Sequence, residues 1–286
     1  MSIEIENITK CFGKTTALNQ VNLTFEKGKI CGLLGNNGAG KTTLFRLIAN
    51  HIFPSEGTIR VDGEEVWDND RVLGKMFLVS EGNLYPESMK VKDGFRSAGI
   101  FYPGFDLENA NRLAELFHLP LKKKIAGLST GYKTIYKLVL GLSVNTPYLL
   151  LDEPVLGLDA SHRELFYKLL IEKIAESPCT VLLSTHLIQE AAPLVEQTII
   201  IEEGKILRNR PKDDLLEEYC LITGPSSKLE EWLPGKKIVK KASLGGLASV
   251  YIEGTVEEAD LPQGFTKEKL SLQEYFILLT NGGIAS

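Results

Sequence analysis

Residues 35–43 read Gly35-Asn36-Asn37-Gly38-Ala39-Gly40-Lys41-Thr42-Thr43, and they fit the pattern GxxxxGK[ST]. The meaning of such a stretch depends on its flanks. Before it stands KICGLLG, a short apolar run ending in glycine. After it comes TTLFRLIANHI, where Leu44, Leu47 and Ile48 recur at i, i+3 and i+4. The order is buried strand, glycine turn, amphipathic helix, the setting in which this pattern holds phosphate. Glycines let the backbone wrap closely, so its N–H groups point inward at phosphate oxygens. The helix N-terminus adds a partial positive charge and Lys41 a full one. Asn36, Asn37, Gly38, Ala39, Gly40, Lys41, Thr42 and Thr43 are therefore the candidate phosphate-binding residues, and the Thr42 hydroxyl is placed to reach Mg²⁺. The competing reading, a glycine-rich turn with a chance lysine, leaves the flanking strand and helix unexplained.

A second signal lies further along, in Tyr148-Leu149-Leu150-Leu151-Asp152-Glu153-Pro154. Two carboxylates close a buried apolar strand, where ionised groups are costly unless something neutralises them. A magnesium ion beside the phosphates would do so through Asp152, directly or by way of water. Glu153 would then face the terminal phosphate, where a base or water-orienting group is needed. The plain alternative is that both carboxylates leave the strand into solvent. A third strand, TVLLSTH, ends at His186. A lone histidine at a strand end is most often only a hydrogen-bonding residue. Ligands of parallel sheets, however, sit outside the strand C-termini, and that raises its standing as a site residue.

Short apolar strands alternating with helices, such as ASHRELFYKLLIEKIAES between the second and third strands, predict a parallel sheet covered on both faces. Around this core the pattern predicts further parts. Residues 1–30 alternate with period two, GTIRVDGEEV reads as a strand pair about Asp62-Gly63, and TIIIEEGKIL reads as a hairpin about Glu203-Gly204. Residues 82–145 read as mainly helical with a Pro/Gly break at YPGF. From about 213 the pattern changes. LEEYCLITG, KIVKKASLGG and ASVYIEG read as strands, and SLQEYFILLTNGG as a final helix with a glycine stop. The expected fold is thus α/β: a P-loop NTPase sheet core with an antiparallel β subdomain and a helical insertion, plus a small α+β C-terminal segment. The expected domains are 1–212, with the helical subdomain at about 82–145, and an accessory domain at 213–286.

Composition sets the outer limits. With 286 residues, 43% hydrophobic and 24% charged, the chain has the make-up of a globular protein. A net charge of −5 does not favour a general nucleic-acid surface. The four cysteines are scattered, with no CxxC pair, and fit a reducing compartment. The N-terminus is acidic where a signal peptide is basic, and no apolar run is long enough to cross a bilayer. A membrane role is expected to come through a partner.

One more stretch, Gly127-Leu128-Ser129-Thr130-Gly131-Tyr132-Lys133, is a small-residue turn before the helical run YKTIYKLVLGLS. Ser129 is a good N-cap candidate, and with the first-turn N–H groups it can bind an anion, while Gly131 permits close approach. Taken in order, the phosphate loop, a helical insertion with LSTGYK, LLLDEP, GLD and STH resemble the nucleotide-binding subunits of ATP-binding cassette (ABC) transporters, most closely the bacterial exporter ATPases of the ABC-2 type. The likeness covers about residues 1–210.

The resemblance implies ATP and Mg²⁺ as ligands. It implies Lys41, Glu153 and His186 as the catalytic set, with His186 a switch on the γ-phosphate. It implies Phe12 as the aromatic stacked on adenine, and Thr42, Asp152 and Glu81 on the metal side. It implies Ser129 and Gly131 as a grip on the γ-phosphate held by the opposite subunit, with Asp159 in the loop exchanged between subunits. The expected partners are separate transmembrane permease subunits and a second cassette, self or sister, forming an ATP-sandwich dimer at the cytoplasmic face of the cell membrane. Two departures stand out. Glu81 replaces the usual glutamine, which adds negative charge where metal and membrane partner are coupled. Thr130 and Tyr132 replace a glycine and a glutamine of the usual LSGGQ.

The function expected is ATP hydrolysis powering a membrane transporter, an exporter of peptide, antibiotic or lipid, with an importer sharing the same cassette. The alternative is a soluble ABC ATPase in cofactor assembly or another non-transport role. The interval between Lys41 and Ser129 is too short for the long coiled coil of the DNA-repair type, and one cassette per chain sets it apart from the translation-factor type. A GTPase or small-molecule kinase would lack a use for LSTGYK, and no NKxD guanine-reading motif is present. Met76 and Phe77 read as core. Lys122–Lys124 reads as a solvated face. The run Phe101, Tyr102 and Phe105 reads as local packing, with contact to a membrane subunit as the alternative.

Overall fold

The computed structural model describes residues 2–82 and 85–280. The chain forms two compact units, Met1–His186 with Ile201–Ile206, and Leu187–Ile200 with Leu207–Ser286.

The first unit opens on an antiparallel sheet. β1 (Ser2–Phe12) pairs with β2 (Thr15–Glu26), as the period-two alternation predicts, and buries Ile3, Ile5, Ile8, Leu18, Val21, Leu23 and Phe25. β3 (Ile30–Leu34) has every residue buried and feeds α1 (Lys41–Ile48). β4 (Glu56–Val61) and β5 (Glu64–Glu65) complete the antiparallel sheet about Asp62-Gly63, with both turn residues at positive φ as a tight hairpin requires. A short α2 (Asp70–Leu73), capped by Asn69, leads to β6 (Met76–Val79). Met76 and Phe77, read in the sequence as core, are buried members of this strand.

The helical insertion follows as α3 (Val91–Phe101), α4 (Leu107–Leu116) and α5 (Thr130–Ser143). Its Pro/Gly break falls between α3 and α4, where Phe101 is exposed. Tyr102 packs edge-on to Phe77 and Phe105 lies against Phe95, so part of the aromatic run is local packing. Lys122, Lys123 and Lys124 are exposed. β7 (Tyr148–Asp152), α6 (Ala160–Glu176) and β8 (Thr180–Thr185) close the parallel part. Its strands run β3-β8-β7-β6, all parallel, and both β7 and β8 are fully buried. The last strand in sequence therefore stands between the first and the third, which puts its C-terminal end between the phosphate loop and the paired carboxylates.

Tyr148 anchors β7. Its hydroxyl donates to Asp62 Oδ1 at 2.6 Å, and Lys75 Nζ reaches Asp62 Oδ2 at 2.7 Å. Burial alone would raise the Asp62 pKa, but these two hydrogen bonds outweigh it and hold the carboxyl below its usual range.

In the second unit, α7 (Ile188–Ala191) precedes β9 (Gln197–Glu202) and β10 (Lys205–Pro211), whose turn at Glu203-Gly204 has positive φ at both residues. Ile201–Ile206, the facing ends of β9 and β10, count with the first unit. α8 (Lys212–Leu216), β11 (Tyr219–Pro225), α9 (Ser226–Trp232), β12 (Ile238–Leu244), β13 (Leu247–Glu253), β14 (Thr266–Lys269) and α10 (Leu272–Thr280) complete the chain. The sheet is antiparallel in the order β12-β13-β11-β14. Ala248, Val250 and Ile252 face a core with Ile222, Leu229 and Phe265, the alternation that makes β13 a half-buried strand. The glycine stop expected after this last helix lies outside the described residues. Among the described residues, no helix is long and apolar enough to cross a membrane.

Candidate functional site

The phosphate loop lies across the end of β3 and is pressed against β2. Gly40 has φ +111°, and a Cβ there would stand 2.7 Å from the Ala17 carbonyl oxygen, so only glycine fits. Gly40 precedes α1 without a side-chain cap, and the first turn holds no acidic residue. The first helical bond is Leu44 N–H to Gly40 O at 2.9 Å, so the N–H groups of Lys41, Thr42 and Thr43 lie ahead of the ladder and aim outward. An anion is the natural partner for such a terminus. A cavity of about 170 Å³ opens there, lined by Ala17, Asn36, Asn37, Gly38, Gly40, Lys41, Thr42, Thr43 and Glu153. Ala39 is buried behind it and does not line it. Phe12, half exposed, ends β1 opposite Thr15, on the same strand pair that supplies Ala17.

Lys41 is buried, yet its ammonium is well supplied. It donates to Gly35 O at 2.6 Å and Asn36 O at 3.3 Å, and it stands 3.5 Å from Glu153 Oε1. Glu153 holds φ 48°, a left-handed conformation that costs a non-glycine residue about 1–3 kcal/mol. The hydrogen bonds that hold it there come from β8. Its N–H donates to Ser184 Oγ at 2.9 Å, while Ser184 Oγ donates to Asp152 Oδ1 at 2.7 Å. On the far side, Glu153 Oε2 lies 2.8 Å from His186 Nδ1 and accepts from the His186 N–H at 3.3 Å. Glu153 Oε1 is buried without a hydrogen-bond partner and borders the phosphate cavity. A carboxylate oxygen so placed can accept a proton from a water or orient it.

A second cleft of about 370 Å³ adjoins this one and is lined by Thr42, Glu81, Asp152 and Glu153, among others. The metal was expected at Thr42, Asp152 and Glu81, and the residues present suit it. Asp152 is buried, and among the described residues its side chain accepts from the neutral Ser184 hydroxyl. Two carboxylates and a hydroxyl are the hard oxygen donors Mg²⁺ takes, with substrate phosphates and waters completing the shell. Among the described residues no three His, Cys, Asp or Glu side chains converge to hold a metal by themselves, so phosphate oxygens would have to contribute.

The structure thus brings Lys41, Thr42, Asp152, Glu153 and His186 together, with Glu81 across the cleft. Ser129 and Gly131 line neither cavity. Ser129 is the N-cap of α5, its Oγ accepting from Tyr132 N–H at 3.3 Å, as its spacing predicts. Gly131 allows a close approach, since a Cβ there would stand 3.3 Å from Gly157 O. Thr134 fastens the same turn by donating to Leu156 O at 3.2 Å. Asp159 is exposed and caps α6. Hydrogen bonds from the His162 backbone and ring lower its pKa.

Two site residues escaped the sequence reading. Ser184 ties both carboxylates to β8, and a serine inside the buried run TVLLST was the available signal. Lys137 lines the larger cleft, on a helix segment whose neighbours are all buried, and burial lowers its pKa while the Glu81 charge works the other way. A lysine inside the apolar run IYKLVLGLS marks it.

The ABC transporter family model matches residues 18–156. The chain is 34% identical over 220 residues to the ABC transporter ATP-binding protein YtrB of Bacillus subtilis (strain 168), covering 77% of this chain and 75% of that one. It is 29% identical to the bacitracin transport ATP-binding protein BcrA of Enterococcus faecalis, covering 72% and 68%. Among solved structures, an ATP-binding subunit of an ABC transporter superposes with a TM-score of 0.67 at 24% identity, over 75% of this chain and 92% of that one. A dimeric ATP-binding cassette in a post-hydrolysis state with ADP and Pi gives 0.65 at 24% identity, over 73% and 98%. With the phosphate loop, the strand-end carboxylates and the capped LSTGYK turn assembled in one fold, the chain belongs to the ABC transporter family, as an ATP-binding and ATP-hydrolysing subunit that powers membrane transport.

Proposed function

We propose that this subunit drives an exporter of peptide, antibiotic or lipid, as a dimer of cassettes bound to separate transmembrane permease subunits at the cytoplasmic face of the membrane. One observation carries the catalytic part. Glu153 is held left-handed, with one oxygen on His186 and the other unbonded at the edge of the phosphate cavity, 3.5 Å from Lys41. In this reading Lys41 and the α1 N-terminus take the phosphate charge. Glu153 accepts the proton of the attacking water, and His186 holds Glu153 in place and meets the γ-phosphate. Phe12 stacks on the adenine. Thr42, Asp152 and Glu81 would hold Mg²⁺, which would supply charge neutralisation at the phosphates.

The export direction is supported by a Nod factor export protein of Sinorhizobium fredii, 32% identical, of whose length the chain covers 63%, while a tungstate uptake protein and a sulfate/thiosulfate import protein, 31% and 34% identical, share the same cassette. The dimer is supported by the likeness to a dimeric ATP-binding cassette and by Ser129 and Gly131 lining neither of the chain's own two clefts at the phosphate loop. The domain reading is an ATPase domain 1–212 with a small C-terminal accessory domain 213–286.

Light scattering of Glu153→Gln with and without Mg-ATP tests the scheme. The expected result is a doubling of mass with Mg-ATP, since loss of the base traps the sandwich. An unchanged mass with bound nucleotide would overturn the homodimer and require a sister cassette or the permease.

A further inference from the structure

Lys137 lies in the middle of α5, in a run from Ile135 to Ser143 with every residue buried. A buried ammonium is tolerated only when its donors are met. Here they are met by main chain: Lys137 Nζ donates to Ser80 O and to Glu81 O, each at 2.8 Å. No carboxylate lies within ion-pair distance of it among the described residues. Ser80 and Glu81 directly follow β6, and with Lys137 they form one wall of the 370 Å³ cleft whose other wall carries Thr42, Asp152 and Glu153. Ser129 caps the same helix about two turns away.

We propose that Lys137 is a positioning residue for ATP hydrolysis: it ties α5 to the backbone of Ser80 and Glu81 and so fixes where the Glu81 carboxylate stands relative to Thr42 and Asp152. Two charged hydrogen bonds to consecutive carbonyls hold a loop that has no regular ladder of its own. They also tie α5, the helix that Ser129 caps, to the Glu81 segment. A shift of the Ser129 turn is carried along a rigid helix to the residue nearest the metal side. The tie further explains how a carboxylate is accommodated at position 81, since the ammonium behind it offsets part of the added charge. This inference rests on the reading of Glu81 as a metal-side group.

The test uses the full chain in the hydrolysis-deficient Glu153→Gln background, and reads binding of a fluorescent ATP analogue as Mg²⁺ is raised. Lys137→Met is expected to raise the Mg²⁺ concentration for half-maximal binding by about tenfold, the scale of outer-shell losses at metal sites. Affinity without Mg²⁺ stays within about twofold by the same reasoning. Lys137→Arg restores the dependence. Glu81→Ala gives a shift of similar size, and the double variant gives no more than either single, because both act through one carboxylate. Amide exchange at Glu81 and Gly82 rises in Lys137→Met. If Glu81→Ala shifts the Mg²⁺ dependence but Lys137→Met does not, the tie is refuted while the metal reading stands. If Glu81→Ala shifts nothing, both fall. Shifts that multiply in the double variant also overturn the inference. Should Lys137→Met not fold, Lys137→Gln, which keeps a donor without the charge, is read on the same titration.

Discussion

The phosphate crevice and the LSTGYK turn are both built from glycines, hydroxyls and a helix N-terminus, yet they differ in how complete they are. At the crevice, Lys41, Asp152, Glu153, Ser184 and His186 are joined by contacts of 2.7 to 3.5 Å, and three parallel strands converge on them. At the turn, the Ser129 side chain makes its cap bond with Tyr132 N–H, and the neighbouring Lys133 pairs with Glu87. In the proposed reading, the first is a site assembled within one chain and the second is completed from outside it. Burial explains the difference. Polar groups at buried strand ends must satisfy one another, whereas an exposed helix start can leave its first N–H groups to water until an anion arrives.

Four substitutions or deletions probe that contrast. Lys41→Ala should have the largest effect, since it removes the full charge at the crevice. ATP turnover is expected to fall by about 100-fold or more, the cost of losing one preorganised charge stabiliser. Steady-state hydrolysis measures it, and turnover near the parent value would mean the crevice is not the catalytic centre. Ser129→Ala should leave nucleotide binding to the isolated chain nearly unchanged and lower turnover by about tenfold, one hydrogen bond to a charged group. Equal losses in binding and turnover would erase the distinction between the two regions.

Tyr148→Phe removes the hydrogen bond to Asp62 and should cost about 1–2 kcal/mol of stability without altering the crevice. Because the folded Asp62 pKa is depressed, its contribution is present in full above the ordinary carboxylate pKa of about 4 and is lost as pH falls through the lower folded value. Chemical denaturation across acid pH should therefore show a shallower decline in the variant than in the parent. The smallest effect is expected from truncation at Asp213, which should retain ATP binding. A truncated chain that folds but no longer binds would count against a separate C-terminal domain.

Much of this was written locally. GNNGAGKTT, LLLDEP and STH lie at strand ends, and their neighbours force those strands to be buried, so the type of these elements and their sequence along the chain could be read from pattern. The β6 strand was harder. Four buried residues carry no period, and Met76 and Phe77 could be recognised only as core. Lys137 was missed for a related reason: a lysine at helical spacing reads as solvated until the loop carbonyls that receive it are in place. Ser184 gave only the hint of a polar residue in an apolar run.

The sequence alone determined that the chain binds phosphate on a parallel sheet and carries a second, capped turn, because glycine freedom, helix dipoles and strand-end carboxylates act over a few residues. Only the tertiary structure decided that β8 stands between β3 and β7, that Ser184 and His186 brace Glu153 in a left-handed conformation, and that Lys137 holds the backbone of Glu81. Those contacts join residues far apart in the chain, and their energy exists only once packing excludes water and leaves each buried polar group dependent on the partner beside it.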